Sequence, residues 1–325
     1  MKTDTNNSYL VTAEEILTMP PQNVRFLWEP YMANDALAAL SGSSDVGKTS
    51  LLRQFATAIV LGKETFLGHR LFPKYKRVIY VSTEDNQNAV NIQLSRQLEG
   101  QIEPSKLKGL GFIFDSTRLL KNLEEQLSIA PVDAIIIDSF ADLFDGNVND
   151  IGSVRKFLDQ YYRLTLKHHC AIIFLHHTGK RTENNLANKN NLIGSQGFEG
   201  KLRLVLELRR NQDSGSKRFL WVTKGNYVPD NIKKSALKLE FNNMQQFKLL
   251  GYADYDIAPI KSRKYSEEEK EGIMRLATVL KFDEKFSIDK ILQVLENNFG
   301  YAPSKGTLHS WLKEEENLRS VNAKT

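Results

Sequence analysis

Gly42-Ser43-Ser44-Asp45-Val46-Gly47-Lys48-Thr49 is a complete G-x-x-x-x-G-K-T string, and those residue types at that spacing belong to phosphate chemistry. Glycines let backbone N–H groups turn inward around phosphates, and a helix starting near Lys48 aims its positive end at them. The cradle is expected over Gly42, Ser43, Ser44, Asp45, Val46, Gly47, Lys48, Thr49 and Ser50. Lys48 is placed to reach the β- and γ-phosphates of ATP, and the Thr49 hydroxyl to bind Mg²⁺. A second element is Val132-Asp133-Ala134-Ile135-Ile136-Ile137-Asp138-Ser139, an apolar strand ending in a carboxylate suited to hold the same Mg²⁺ through water.

Two further strand ends carry titratable groups. Ser82-Thr83-Glu84-Asp85 follows the run Val78 to Val81 and puts two carboxylates where a parallel sheet binds ligands. One of them can orient and polarise an attacking water, with Glu84 the first choice. Asp85 is the alternative, or it caps the following helix. His176-His177 ends the run Ala171 to Leu175. Adjacent strand residues point to opposite faces, so the pair does not share a metal. One histidine can contact the γ-phosphate; a packed strand-end histidine is the competing reading.

The elements that must position these residues alternate. Strands are expected at 37–40, 77–82, 111–114, 134–138 and 171–176, and helices at 48–62, 87–98, 119–129 and 152–168. From residue 202 the pattern becomes successive strands: 202–208, 219–223, 236–241 and 247–251. This predicts an α/β fold, a P-loop core with a mainly parallel sheet and an antiparallel extension. An amphipathic start (Ala13 to Met19) falls in an N-terminal segment, residues 1–30; the core follows at 31–255, a linker at 256–264 and a helical domain at 265–325. Three short helices make up that tail, the last around Ser304 to Glu315, which suggests a helix-turn-helix or winged-helix unit. The competing reading is a helical oligomerisation or interaction tail.

At 325 residues, the chain can bury one large core and still carry a small second domain. No apolar run approaches the roughly 18 residues of a membrane span, and the polar beginning carries no secretory pattern, so a soluble cytoplasmic protein is expected. With Cys170 as its one cysteine, neither a disulfide framework nor a cysteine zinc site can be built. Net charge is +5, and its distribution is uneven: residues 151–255 carry 18 Lys/Arg against 8 Asp/Glu, residues 256–325 carry 12 against 12. The basic excess therefore belongs to the core.

The ordered set Gly42…Lys48-Thr49, Ser82-Thr83-Glu84-Asp85, Ile137-Asp138-Ser139-Phe140-Ala141-Asp142-Leu143-Phe144, His176-His177-Thr178-Gly179-Lys180 and Gly194-Ser195-Gln196-Gly197 resembles the RecA-like ATPases of the RepA hexameric-helicase type. The resemblance covers residues 25–250. It implies a ring-shaped hexamer with ATP bound between subunits, acting as a replicative helicase of plasmids, phages or mobile elements. It also implies Glu84 as the catalytic carboxylate, His177 as the sensor, Arg203 as an arginine finger given to a neighbour, and Lys224 as a second trans-acting cation. Arg209 and Arg210 are rival fingers. Related helicases often have arginine two residues after the lysine, where this chain has Asn226. Two loops, 145–153 and 178–192, correspond to those that hold single-stranded DNA in such rings. The second supplies Lys180, Arg181 and Lys189, a backbone-contacting composition without aromatic residues. Two competitors stay open: a DNA-binding regulatory ATPase that switches assembly in mobilisation or transposition without unwinding, and a small-molecule P-loop kinase.

Overall fold

Apolar runs such as Ala134 to Ile137 are buried on both faces, which a parallel sheet covered by helices on each side requires. A computed structural model describes residues 10–20, 23–178, 187, 195–211, 215–254, 265–299, 302–303 and 305–322. The chain divides into two units, Met1–Ile257 and Ala258–Thr325. The first contains a nine-stranded sheet: β1 (Leu37–Gly42), β2 (Val78–Ser82), β3 (Leu110–Ile113), β4 (Ala134–Asp138), β5 (Ala171–His177), β6 (Leu204–Arg210), β7 (Lys217–Gly225), β8 (Ser235–Phe241) and β9 (Phe247–Asp254). Their spatial order is β9-β8-β7-β6-β1-β5-β4-β2-β3. The six from β6 to β3 run parallel, and β7, β8 and β9 extend the sheet antiparallel, as the sequence pattern predicts.

Strand alternation feeds two cores. Ile136 packs on one face with Leu51, Leu52 and Phe55 of α1 (Lys48–Val60). Ile135 and Ile137 pack on the other with Leu123 and Leu127 of α3 (Leu119–Ile129) and Leu158 of α4 (Ile151–His168). Each such buried side chain stabilises the fold by roughly 1.5–3 kcal/mol. Between β2 and β3 lies α2 (Gln87–Leu98), whose N-cap is Asn86: its side chain accepts the Ala89 N–H at 3.0 Å. That replaces the expectation of Asp85 as the cap.

Several elements go beyond the sequence pattern. Two short hairpins, Phe26–Trp28 with Met32–Ala33 and Thr65–Phe66 with His69–Arg70, flank α1 in the chain. A seven-residue helix, α5 (Ser195–Lys201), precedes β6. The loop expected at 145–153 ends earlier, because Asp150 caps α4 by accepting the Gly152 N–H at 3.0 Å.

In the second unit Ser266 caps α6 (Glu267–Thr278) through a capping box with Glu269. A π-helical turn (Val279–Asp283), α7 (Ile288–Phe299) and α8 (Lys305–Asn322) follow. Ile273, Ala277, Ile291, Leu295, Leu308 and Leu312 form its core. Among its described residues there is no strand. The linker expected at 256–264 lies outside the described residues.

Candidate active site

Because β1, β2, β4 and β5 are parallel, their C-terminal ends meet at one edge, and the turns beyond them carry the predicted chemistry. The phosphate loop follows β1. At Gly42 a Cβ would stand 2.5 Å from the Leu208 carbonyl oxygen, so the backbone of β6 enforces glycine there. Gly47 has φ +100° and caps α1 with no side chain, and a Cβ would meet the Phe247 ring at 2.9 Å. Lys48 is buried, its ammonium donating to the carbonyls of Gly42 (3.0 Å) and Ser43 (2.7 Å). Burial pulls its pKa down to about 8, against the opposing fields of Asp138, Glu84 and Asp45.

Asp138, at the end of β4, is also buried, and the Tyr80 hydroxyl donates to its Oδ2 at 2.8 Å. Burial raises its pKa, while hydrogen bonds from Tyr80 and Thr49 oppose the rise. Asp138 Oδ1 is buried without a hydrogen-bond partner among the described residues. A hard oxygen left unsatisfied beside the Thr49 hydroxyl is the donor set Mg²⁺ prefers, so these two residues fit that ion.

Glu84 and His177 meet across the gap between β2 and β5: His177 Nε2 lies 3.6 Å from Glu84 Oε1, with both side chains partly exposed. His176 points the other way, its ring stacked on Phe140 (5.2 Å between centroids) and edge-on to Phe198 (4.7 Å). The strand end therefore holds one packed histidine and one that faces the predicted site. Asp85 turns from the site to Arg53 of α1 (4.0 Å) and to Gln93 (3.3 Å).

The cations separate into two groups. Arg210 donates to the Asp45 carbonyl of the phosphate loop at 3.2 Å, and Arg209 pairs with buried Glu207 at 2.6 Å, so the rival fingers are engaged within their own chain. Arg203 and Lys224 lie at the opposite edge: Arg203 N–H donates to Leu37 O, at the start of β1, and Lys224 pairs in register with Val205. Lys180, Arg181 and Lys189 lie outside the described residues.

Three side chains that motif spacing does not expose support the loop. Arg218 of β7 donates to Val46 O (3.0 Å), Gly215 O (2.7 Å) and Lys217 O (2.9 Å) and lies over the Phe241 ring. Phe241 and Phe247 stack against each other at 4.6 Å beneath Gly47. The antiparallel extension thus buttresses the phosphate loop.

A family model described as an AAA domain matches residues 4–183, more than half of the chain. The chain belongs to the AAA domain family. No curated protein matches it in sequence. Among solved structures, an ATPase domain of another protein is similar to this AAA domain with TM-score 0.53 and 13% identity, over 68% of this chain and 87% of that one. At such identity the likeness is one of fold: the AAA domain has a RecA-like P-loop core. No helix among its described residues is long and apolar enough to cross a membrane.

Proposed function

We propose that this AAA domain hydrolyses ATP within a homo-oligomeric ring, a hexamer of the RepA type, and acts on single-stranded DNA as the cytoplasmic replicative helicase of a plasmid, phage or mobile element. One observation carries the reading: Glu84, His177, Asp138, Thr49 and Lys48 gather at one edge of the sheet, while Arg203 and Lys224 stand at the other. At about 3.3 Å per residue, the seven residues of β6 separate the two edges by roughly 20 Å. No arginine side chain spans that distance, so Arg203 serves a neighbour's site or none. Head-to-tail contacts of this kind close into rings. The likeness to a solved ATPase domain adds support from the fold.

In this mechanism the N–H groups of Gly42 to Thr49 hold the phosphates, and the Lys48 ammonium exchanges two loop carbonyls for phosphate oxygens. Thr49 and Asp138 would hold Mg²⁺, which when bound neutralises phosphate charge. Glu84 orients water, and His177, at hydrogen-bonding range of Glu84, senses the γ-phosphate. The partner subunit's Arg203, with Lys224 beside it, stabilises charge on the transferring group. Lys180, Arg181 and Lys189 contact the DNA backbone, which makes binding salt-sensitive and indifferent to sequence.

The test is ATP turnover by the full chain with and without a thymidine oligonucleotide, paired with its size in nucleotide. A nucleotide-dependent ring whose turnover the oligonucleotide raises is expected. A monomer whose turnover ignores DNA would overturn the reading, and stimulated turnover without strand separation would move it to the regulatory ATPase.

A further inference from the structure

Thr83 and Ser139 flank the two carboxylates of the proposed site, Thr83 preceding Glu84 and Ser139 following Asp138. Both hydroxyls turn to a single atom: Asp142 Oδ2 lies 2.5 Å from Thr83 Oγ1 and 2.9 Å from Ser139 Oγ. The same Thr83 oxygen accepts the Ser139 N–H at 2.8 Å and stands 2.9 Å from the Asp138 carbonyl, to which the Thr83 N–H also donates at 2.8 Å. A threonine hydroxyl has one hydrogen to give, and the closer carboxylate oxygen takes it in preference to the carbonyl. The Ser139 hydroxyl then fills the second site on that oxygen. The result is a four-membered tie, Thr83, Asp138, Ser139 and Asp142, that joins the ends of β2 and β4 beyond the last ladder pair, Ser82 with Asp138.

Asp142 itself belongs to neither strand. It sits in the turn between β4 and α4, and its side chain is exposed. Packing gives no reason for its place; its contacts with the two hydroxyls do. We infer that Asp142 is a positioning residue that sets the spacing of Glu84 against Asp138, and with it the alignment of the attacking water on the bound phosphate. The inference rests on the hydrolytic reading above and adds to it a group outside all of the chain's phosphate-site motifs. Glu84 is then held twice: its backbone through Thr83 and Asp142, and its carboxylate by His177 at 3.6 Å. Phosphoryl transfer is catalysed mainly by positioning, so a small displacement of Glu84 reduces turnover without disturbing the cradle at Gly42 to Thr49.

Four full-length variants test this: Asp142→Ala, Asp142→Asn, Thr83→Val, and Asp142→Ala combined with Thr83→Val. Asp142→Ala is expected to lower kcat about tenfold with the KM for ATP within about twofold of wild type, as loss of alignment alone predicts. Asp142→Asn keeps an acceptor oxygen and should fall between. Because both residues act through one bond, the double variant should be no slower than the slower single variant. Wild-type kcat in Asp142→Ala, effects that multiply in the double variant, or a KM that rises in step with the fall in kcat would each overturn the inference while leaving hydrolysis intact. A wild-type chain without ATP turnover would overturn the hydrolytic reading itself, and this inference with it.

Discussion

At the C-terminal edge of β1, β2, β4 and β5 nearly every polar group of interest is engaged by its own chain: Lys48 by two loop carbonyls, Asp138 by Tyr80, Glu84 by His177, Val46 O by Arg218. At the opposite edge, where β6 begins and β7 ends, Arg203 and Lys224 are brought side by side by the antiparallel pairing, with the Asn226 N–H donating to Arg203 O at 2.9 Å. The first edge is organised inward, around a cradle. The second carries cations that have no phosphate site of their own within reach. The contrast teaches that a single chain holds the two halves of the proposed site facing apart, so a second copy must bring them together.

The strongest way to break that contrast is Arg203→Ala. Loss of a trans-acting finger lowers kcat by about 10³-fold or more, with ATP binding retained. Mixing these subunits with Glu84→Gln subunits should restore part of the turnover, since some interfaces then pair an intact Glu84 with an intact Arg203. A mixture as inactive as its components would detach the second edge from the site. Next in size, Glu84→Gln should reduce turnover by roughly 10²–10⁴-fold while leaving nucleotide affinity near wild type, as measured by equilibrium binding. Unchanged turnover would remove Glu84 from its role.

Smaller effects sharpen how the inward edge is held. Arg218→Met leaves the carbonyls of Val46, Gly215 and Lys217 without their donor, a cost of about 1–3 kcal/mol. It should appear as a lower midpoint in urea unfolding together with weaker ATP binding. Lys48 gives a pH signature. Its pKa is depressed to about 8, so below that value it is charged before ATP arrives, and above it a proton must be taken up on binding. Affinity should therefore be flat below pH 8 and fall as pH rises beyond it, by at most about tenfold per unit. Lys48→Ala should bind weakly with no such slope. For the fold, the sign is opposite: the unfolded chain binds the Lys48 proton more tightly than the folded one, so this group adds stability as pH rises from about 8 to the ordinary lysine range.

Much of the inward edge was legible in the sequence because each part is local. The phosphate loop occupies eight consecutive residues, and Asp138 and Glu84 each follow an apolar run that only a buried strand explains. Its supports were not legible. Arg218 reaches Val46 across 172 residues of chain, and Tyr80 reaches Asp138 across 58. Within β2, Tyr80 reads as one more apolar strand residue until its hydroxyl is placed. The helix α5 escaped for a different reason: Gly197 and Gly200 lower its intrinsic propensity. Tertiary packing overrides that, with Phe198 fully buried and Gly197 so near α4 that a Cβ would lie 3.0 Å from Val154 Cβ. The hairpins around α1 are too short for a period to emerge. In the second unit, by contrast, Ser266 and Glu269 announced their helix correctly, since a capping box spans only four residues.

The sequence by itself determined the chemical identity of the loop, the carboxylates and the histidines, because those depend on side-chain type and on spacing along one strand or turn. Only the tertiary structure decided which groups share an edge. Arg203 and Arg210 lie at the two ends of the same strand, yet β6 runs parallel to β1, so Arg210 falls on the phosphate loop and Arg203 at its far side. Strand direction is a property of the assembled sheet, and no stretch of residues around Arg203 encodes it.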